Sequence, residues 1–239
     1  MNLTKDSIWI LLRKVTIPAS TGSLFMTFYN LVDTYFAGKI SPEALAAVAK
    51  SWPITFIALA ISIGIQAGTQ SLISNSVGAK ENKVASLYVA QSITFAIIVS
   101  IFVTLFGLNF SEILLQIMGS STESVILTRE YLDIIFYGSI IILVQLSLNG
   151  TLSAQGDTKS YRNILIISFF LNIFLNPLFI FGYGIIPAFG IAGLALSTLI
   201  AQSIGVLYLV YKVYCCKLKK FLYLECFIPK INLLINILK

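Results

Sequence analysis

Histidine is absent from the 239 residues, and charged side chains make up only 11% of them. Without an imidazole there is no His-ligated metal site and no His-based catalytic triad. So little charge cannot cover the surface of a soluble domain. Cysteine is scarce as well. Cys215, Cys216 and Cys226 form neither an even set for a disulfide framework nor a Cys-x-x-Cys pair for a thiolate metal site. We read them as idle thiols at a membrane surface rather than as lipidated ones. The short alternating segments of a membrane β-barrel are missing too. What fills the chain is hydrocarbon, with 57% hydrophobic residues and a mean hydropathy of +0.91. A helical crossing takes about 20 apolar residues, so the length holds about six with short loops. The fold class is therefore all-α, a polytopic transmembrane bundle of six helices in a lipid bilayer.

The apolar runs place spans near 15–38, 51–75, 85–110, 125–152, 161–182 and 189–213. Turn and charge signals separate them, such as Ser41-Pro42, Gly78-Ala79-Lys80-Glu81, Gly119, Gln155-Gly156-Asp157 and Gly182. Three regions follow: a cytoplasmic segment 1–14, a transmembrane lobe 15–213, and a basic cytoplasmic tail 214–239. The net charge of +6 with pI ≈ 9.2 records orientation, not nucleic-acid binding. With the N-terminus cytoplasmic, thirteen of the sixteen basic residues fall inside, leaving Lys39, Lys50 and Arg129 outside. The inner set includes Lys5, Arg13, Lys80, Lys159, Lys212, Lys217, Lys220 and Lys239. This bias predicts a multi-pass protein of the inner (plasma) membrane with both termini in the cytoplasm.

A charge at the centre of a bilayer costs about 2.5–3.5 kcal/mol on insertion scales, so an intramembrane carboxylate is a functional candidate. Asp33 is the clearest, three residues after Asn30 on the first span, which also carries Thr27, Tyr29 and Thr34. Burial makes a carboxylate's charge depend on a proton or cation beside it, the property a carrier needs. Asn172 and Asn176 stand i, i+4 on the fifth span, and Pro177 frees the carbonyl of Ile173. With Asn149 on the fourth span, this set predicts a shared polar cavity between spans one, four and five. Glu130 and Asp133 read as interfacial, with Arg129 placed to pair with Asp133 at i+4. Gly64 and Gly68 form a small-x-x-x-small pair that allows close helix contact. Pro18 opens the first span and gives that helix a place to bend.

Together these features resemble the N-terminal half of a MATE (multidrug and toxic compound extrusion) transporter of the MOP superfamily, in its DinF-like bacterial branch. The resemblance runs along nearly the whole chain. It rests on Asn30-Leu31-Val32-Asp33 with Gly38, Leu45-Ala46-Ala47, Gly64-x-x-x-Gly68 leading to Val77-Gly78-Ala79, and Gln155-Gly156-Asp157-Thr158-Lys159. It continues through Asn172-x-x-x-Asn176-Pro177 to Gly182, then Phe189-Gly190-Ile191-Ala192-Gly193 and Ala201-Gln202. It implies cation coupling at Asp33 with Asn172 and Asn176, a cavity lined by Asn30, Tyr131, Asn149 and Asn172, and bending at Pro18. Many members of this kind carry a second aspartate where Asn176 stands, so a two-carboxylate proton site is not expected. A single-carboxylate proton site, or Na+ held at Asp33 partly by the Asn176 amide oxygen, remains.

The resemblance implies an antiporter driven by H+ or Na+ that exports drugs, other organic cations or metabolites, with no cofactor and no catalytic residues. Members have two homologous six-helix lobes. The run Pro229–Lys239 resembles the amphipathic Ser7–Lys14, as if a second repeat began there. The chain is thus expected to be one lobe, cut before the second and completed by it or by a parallel homodimer. A flippase for lipid-linked oligosaccharides, from the same superfamily, would be expected to carry mid-span cations, and none lies there. An inactive, non-transporting remnant is the reading from a different class.

Overall fold

The computed structural model describes residues 7, 9, 12–216, 218–219 and 223–238. Lys5, Lys217, Lys220 and Lys239 of the orientation argument, and Ile8, Ile10 and Leu11 of the N-terminal run, lie outside the described residues. Helices account for nearly all the rest: α1 (Ile17–Ile40), α2 (Pro42–Gly78), α3 (Asn82–Ile117), α4 (Thr122–Tyr137), α5 (Ser139–Ala154), α6 (Lys159–Phe181), α7 (Ile191–Tyr214) and the short α8 (Ile231–Leu238). The chain runs up and down between a Lys39 end and a Lys80 end. α2, α3, α6 and α7 are long and apolar enough to cross a membrane, and α4 with α5, taken together as one bent pair, is long and apolar enough for a fifth crossing. α1 has the length, 24 residues, but its threonines, Asn30, Asp33 and Lys39 dilute its hydrocarbon.

Local chemistry sets several of the helix ends. Only Ser41 separates α1 from α2: its hydroxyl accepts from the N–H of Ala44 at 3.0 Å, and Pro42 fills the first helical turn. The separation expected up to residue 50 is helix instead, because Glu43–Lys50 has good helix formers behind a strong cap. α2 and α3 have 37 and 36 residues, about 55 Å each, and so outreach the hydrocarbon layer of about 30 Å. Asp157 caps α6, accepting from the N–H and hydroxyl of Ser160 at 3.0 and 2.6 Å. Gly182, at φ 75°, stops α6 in a conformation that side chains disfavour.

One expectation needs correction here, and two gain detail. The fourth span is not one helix but two, bent by 49° at Gly138, where Leu199 of α7 packs into the space a side chain would take. Arg129 does lie 3.6 Å from Asp133, yet its shorter ion pair, 2.6 Å, is with Glu112 on α3. A charged residue seventeen positions back was invisible to helical spacing. Pro18 opens the first span, as the sequence suggests. It sits in the first turn of α1, directly after a π-helical turn, Leu12–Thr16.

α1 packs chiefly on α6, α2 on α5 and α3, and α6 on α7. One apolar cluster lies toward the Lys80 end, around Ile73, Val89, Leu148, Ile164 and Leu209. Another lies toward the Lys39 end, around Ala37, Ala44, Val48, Ile180 and Leu194. Exposed side chains are themselves apolar, such as Phe102, Phe174 and Leu207, as a lipid solvent allows. Hydroxyls within the spans mostly bond their own helix one turn back, as Ser62 to Ala58 and Thr128 to Ser124.

Candidate functional site

Asp33 is the only buried charged side chain among the described residues. It stands on α1 against α6 and α7. Its Oδ1 accepts two hydrogen bonds, from Asn172 Nδ2 and Asn176 Nδ2, both at 2.9 Å. Its Oδ2 accepts one longer bond, 3.4 Å, from the hydroxyl of Thr198. The two amides also bond each other, Asn176 Nδ2 donating to Asn172 Oδ1 at 2.9 Å. Ser197 donates to Asn176 Oδ1 and to its own helix at Leu194. Asn172, Asn176 and Ser197 are fully enclosed.

Local structure explains this meeting. Spacing i, i+4 puts both amides on one face of α6, turned to α1. α7 reaches that face because residue 193 is glycine: a Cβ there would strike the carbonyl of Phe179. One turn farther along α7, Ser197 and Thr198 arrive beside Asn176 and Asp33. The Tyr29 hydroxyl lies on the same side of α1, buried within reach of Thr198 and Asn172 but closing no well-formed bond. Tyr131, half-buried, packs on the cluster around Ala37 and Val48, near enough to sense the Asp33 charge.

The cluster is neutral apart from Asp33. Among the described residues the ion pairs are those of Arg129, and none reaches Asp33. Hydrogen bonds stabilise a buried carboxylate but do not neutralise it. The group is therefore suited to take up a cation. The bonding is lopsided: Oδ1 is saturated by two amide donors, while Oδ2 has one long partner whose hydroxyl can turn round and accept. Oδ2 is the oxygen open to a proton.

The other residues singled out from the sequence sit elsewhere. Asn30 and Asn149 do not join the carboxylate. They line a separate cavity of about 310 Å³ with Tyr29, Gln66, Gln145 and Gln202. Asn149, nearly buried, accepts from Ser153 at 3.2 Å. The polar set expected to share one cavity is thus split between the closed cluster at Asp33 and this cavity, whose lining includes Tyr29. Thr27 and Thr34 bond backward to Ser23 and Asn30 and take no part. Pro18, buried, lies four turns from Asp33 along α1. Sequence reasoning missed Ser197 and Thr198, since two hydroxyls in an apolar helix look like any that bond their own backbone. It missed Gln66, Gln145 and Gln202 for want of a partner within their own helices. No group of three Asp, Glu or Cys side chains gathers among the described residues.

Comparison with known proteins gives a consistent set of likenesses. The MatE family profile matches residues 18–178. The chain is 28% identical to a protein named FAD transporter from Shewanella oneidensis, over 81% of the chain and 43% of that protein. It is also 28% identical to the probable multidrug resistance protein YoeA of Bacillus subtilis, over 83% of the chain and 43% of the relative. A crystal structure of MATE in the bent conformation superposes with TM-score 0.84 at 29% identity, covering 95% of this chain and 50% of the other. The straight conformation gives 0.83 over the same shares. The chain spans about half the length of the curated relatives it matches.

Proposed function

The chain belongs to the MatE family, and from that premise we propose that it supplies one lobe of a cation-coupled exporter of organic cations or other small amphipathic molecules. The observation that carries this reading is Asp33, a buried carboxylate held by three neutral donors and no counter-charge. In each cycle Asp33 Oδ2 takes a proton on one side of the membrane and gives it up on the other, with Thr198 reversing its hydrogen bond. Loss of the charge weakens the pull of the Asn172 and Asn176 amides on Asp33. This shifts α1 against α6, and the π turn ahead of Pro18 is where α1 changes direction. Were both amides turned over, the same ring would offer oxygens to Na+, so the coupling ion is decided by measurement.

The substrate side is the cavity of Asn30, Gln66, Gln145, Asn149 and Gln202, in which no charged residue appears. Neutral carboxamides among aliphatic walls suit a flat organic molecule with a few polar atoms. The Shewanella relative's name extends the class to metabolites. The second lobe, or a parallel copy of this one, closes the route, and both termini lie in the cytoplasm by the lysine bias.

The test is efflux of a fluorescent organic cation from cells carrying the wild-type chain or Asp33→Asn, across pH and sodium concentration. Wild-type export that follows pH, or sodium, should vanish in Asp33→Asn at equal protein level. Equal export by both across all conditions removes the coupling role.

A further inference from the structure

The Gly64–Gly68 pair and the chain beyond α7 take no part in the site above, and the structure joins them. After α7 the backbone passes through a 3-10 turn, Leu224–Phe227, and α8 settles over α2 and α3. Gln91, in α3, is 0% exposed, an unusual place for a carboxamide on a helix with a lipid side. Its Nε2 donates to the carbonyls of Cys226 at 2.6 Å and Ile228 at 2.7 Å, and its Oε1 accepts from the N–H of Lys230 at 2.8 Å. Thr94, three residues on, donates to the carbonyl of Phe227 at 3.0 Å. Ser86 donates to that of Leu218 at 2.9 Å. One face of α3 is thus spent on backbone groups of the segment that follows α7.

The apolar half of the contact is α8. Leu234 and Ile237, i, i+3 on one face, join a cluster of Ile65, Phe95, Ala96 and Leu143, while Ile231 and Ile235 stay exposed. The carbonyl of Ile237 lies where a Cβ on residue 68 would be, so only glycine admits it. Of the small-residue pair of α2, Gly68 receives this short helix, and Gly64 lines the space beside it. The seat is loose by the standard of the spans. Between α8 and α2 a cavity of about 510 Å³ is lined by Gly64, Gly68, Ser71 and Asn236.

We propose that residues 223–238 are a releasable latch. Seated on Gly68 and clasped by Gln91, it holds the Lys80 ends of α2 and α3 together; unseated, it lets that end of the lobe open during transport. The second half of this statement rests on the proposed export function, and the first half does not. Gln91 is a positioning residue acting on backbone groups, with no contact to the Asp33 cluster.

The first arm of the test is thiol labelling in open membrane fragments, with Cys215, Cys216 and Cys226 replaced by serine. Leu234→Cys should react with a hydrophilic maleimide on the order of tenfold slower than Ile231→Cys, as expected for a site protected by a local opening equilibrium. Gln91→Leu or Gly68→Val should bring Leu234→Cys up to the rate of Ile231→Cys. Leu148→Cys, in the core, should stay protected in both variants and so report an intact bundle. Equal labelling of Leu234→Cys and Ile231→Cys in the parent overturns the latch. So does protection of Leu234→Cys that survives both variants. The second arm joins Gly64→Cys to Asn236→Cys with a short bismaleimide, with export read in the same cells. Loss of export on cross-linking supports release, and undiminished export overturns it. A parent that exports nothing overturns the transport reading instead and leaves the latch to the labelling arm.

Discussion

At the scale of single residues, the interior holds one charge among the described residues, and its partners are dipoles. Burying Asp33 without a counter-ion costs free energy that Asn172, Asn176 and Thr198 only partly offset, so removing the charge should relieve the fold. We predict that Asp33→Asn raises the melting temperature of the purified protein while abolishing coupling. Asn176→Leu should do the opposite and lower stability by about 1–3 kcal/mol, because it removes one of the two amide donors to Asp33 Oδ1 and leaves Asn172 Oδ1 without its donor. In the Asp33→Asn background that loss should shrink to roughly half, a coupling read from a double-mutant cycle of unfolding free energies. An Asp33→Asn protein that melts below the parent would show that the carboxylate's bonds outweigh its desolvation. The amide pair was legible because i, i+4 spacing is a property of one helix. Thr198 was not, because its hydroxyl differs in nothing local from Ser203, which bonds its own helix at Leu199.

At the scale of elements, the site is a consequence of how closely α7 approaches α6. Glycine at 193 sets that distance by letting the carbonyl of Phe179 sit where a Cβ would be. Gly193→Ala should therefore cost about 2–3 kcal/mol, since backbone cannot give way as a side chain does. It should also push Thr198 away from Asp33. Gly64→Ala is the control: nothing lies within 4 Å of its Cβ position. A gain of about 0.5–1 kcal/mol from helix propensity is expected there. Thermal melts of the two variants decide the matter, and equal stability would mean that the α6–α7 contact does not set the site. The starts of α6 at Lys159 and α7 at Ile191 lie within a few residues of those read from sequence, whereas α2 starts at Pro42 and not near residue 51. The bend at Gly138 was not readable, because it depends on Leu199 arriving from α7.

At the scale of the whole molecule, if α1 and the bent α4–α5 pair each cross as α2, α3, α6 and α7 can, the ends of α2, α5 and α7 share one side of the membrane. The lysine bias predicts that this side is the cytoplasm. Exposed Cys215, kept as the only cysteine, should react with an impermeant maleimide only in inside-out vesicles. Lys83→Cys, in a cysteine-free chain, should behave the same way, and Ser121→Cys should react only from the opposite face. Labelling of Cys215 and Ser121→Cys from the same side would break the six-crossing topology. The collar of Lys50, Glu112, Arg129 and Asp133 at the Lys39 end fits that arrangement. Lys50 donates to Ser124 at 2.8 Å and Arg129 ties α3 to α4, on helices that outreach the hydrocarbon.

The sequence by itself determined that this is a helical membrane bundle, since the length of an apolar run and its polar breaks are local quantities that the bilayer reads directly. It also singled out Asp33 as the candidate carboxylate of the spans. Only the tertiary structure decided how its burial is compensated. The donors to Asp33 come from positions 139, 143 and 165 residues away, and the Gln91 clasp from 135 to 139 residues away. No helical period spans such separations. They are set by which helices pack together and by the glycines that allow close approach, so the same residues remain separate candidates until the bundle is closed.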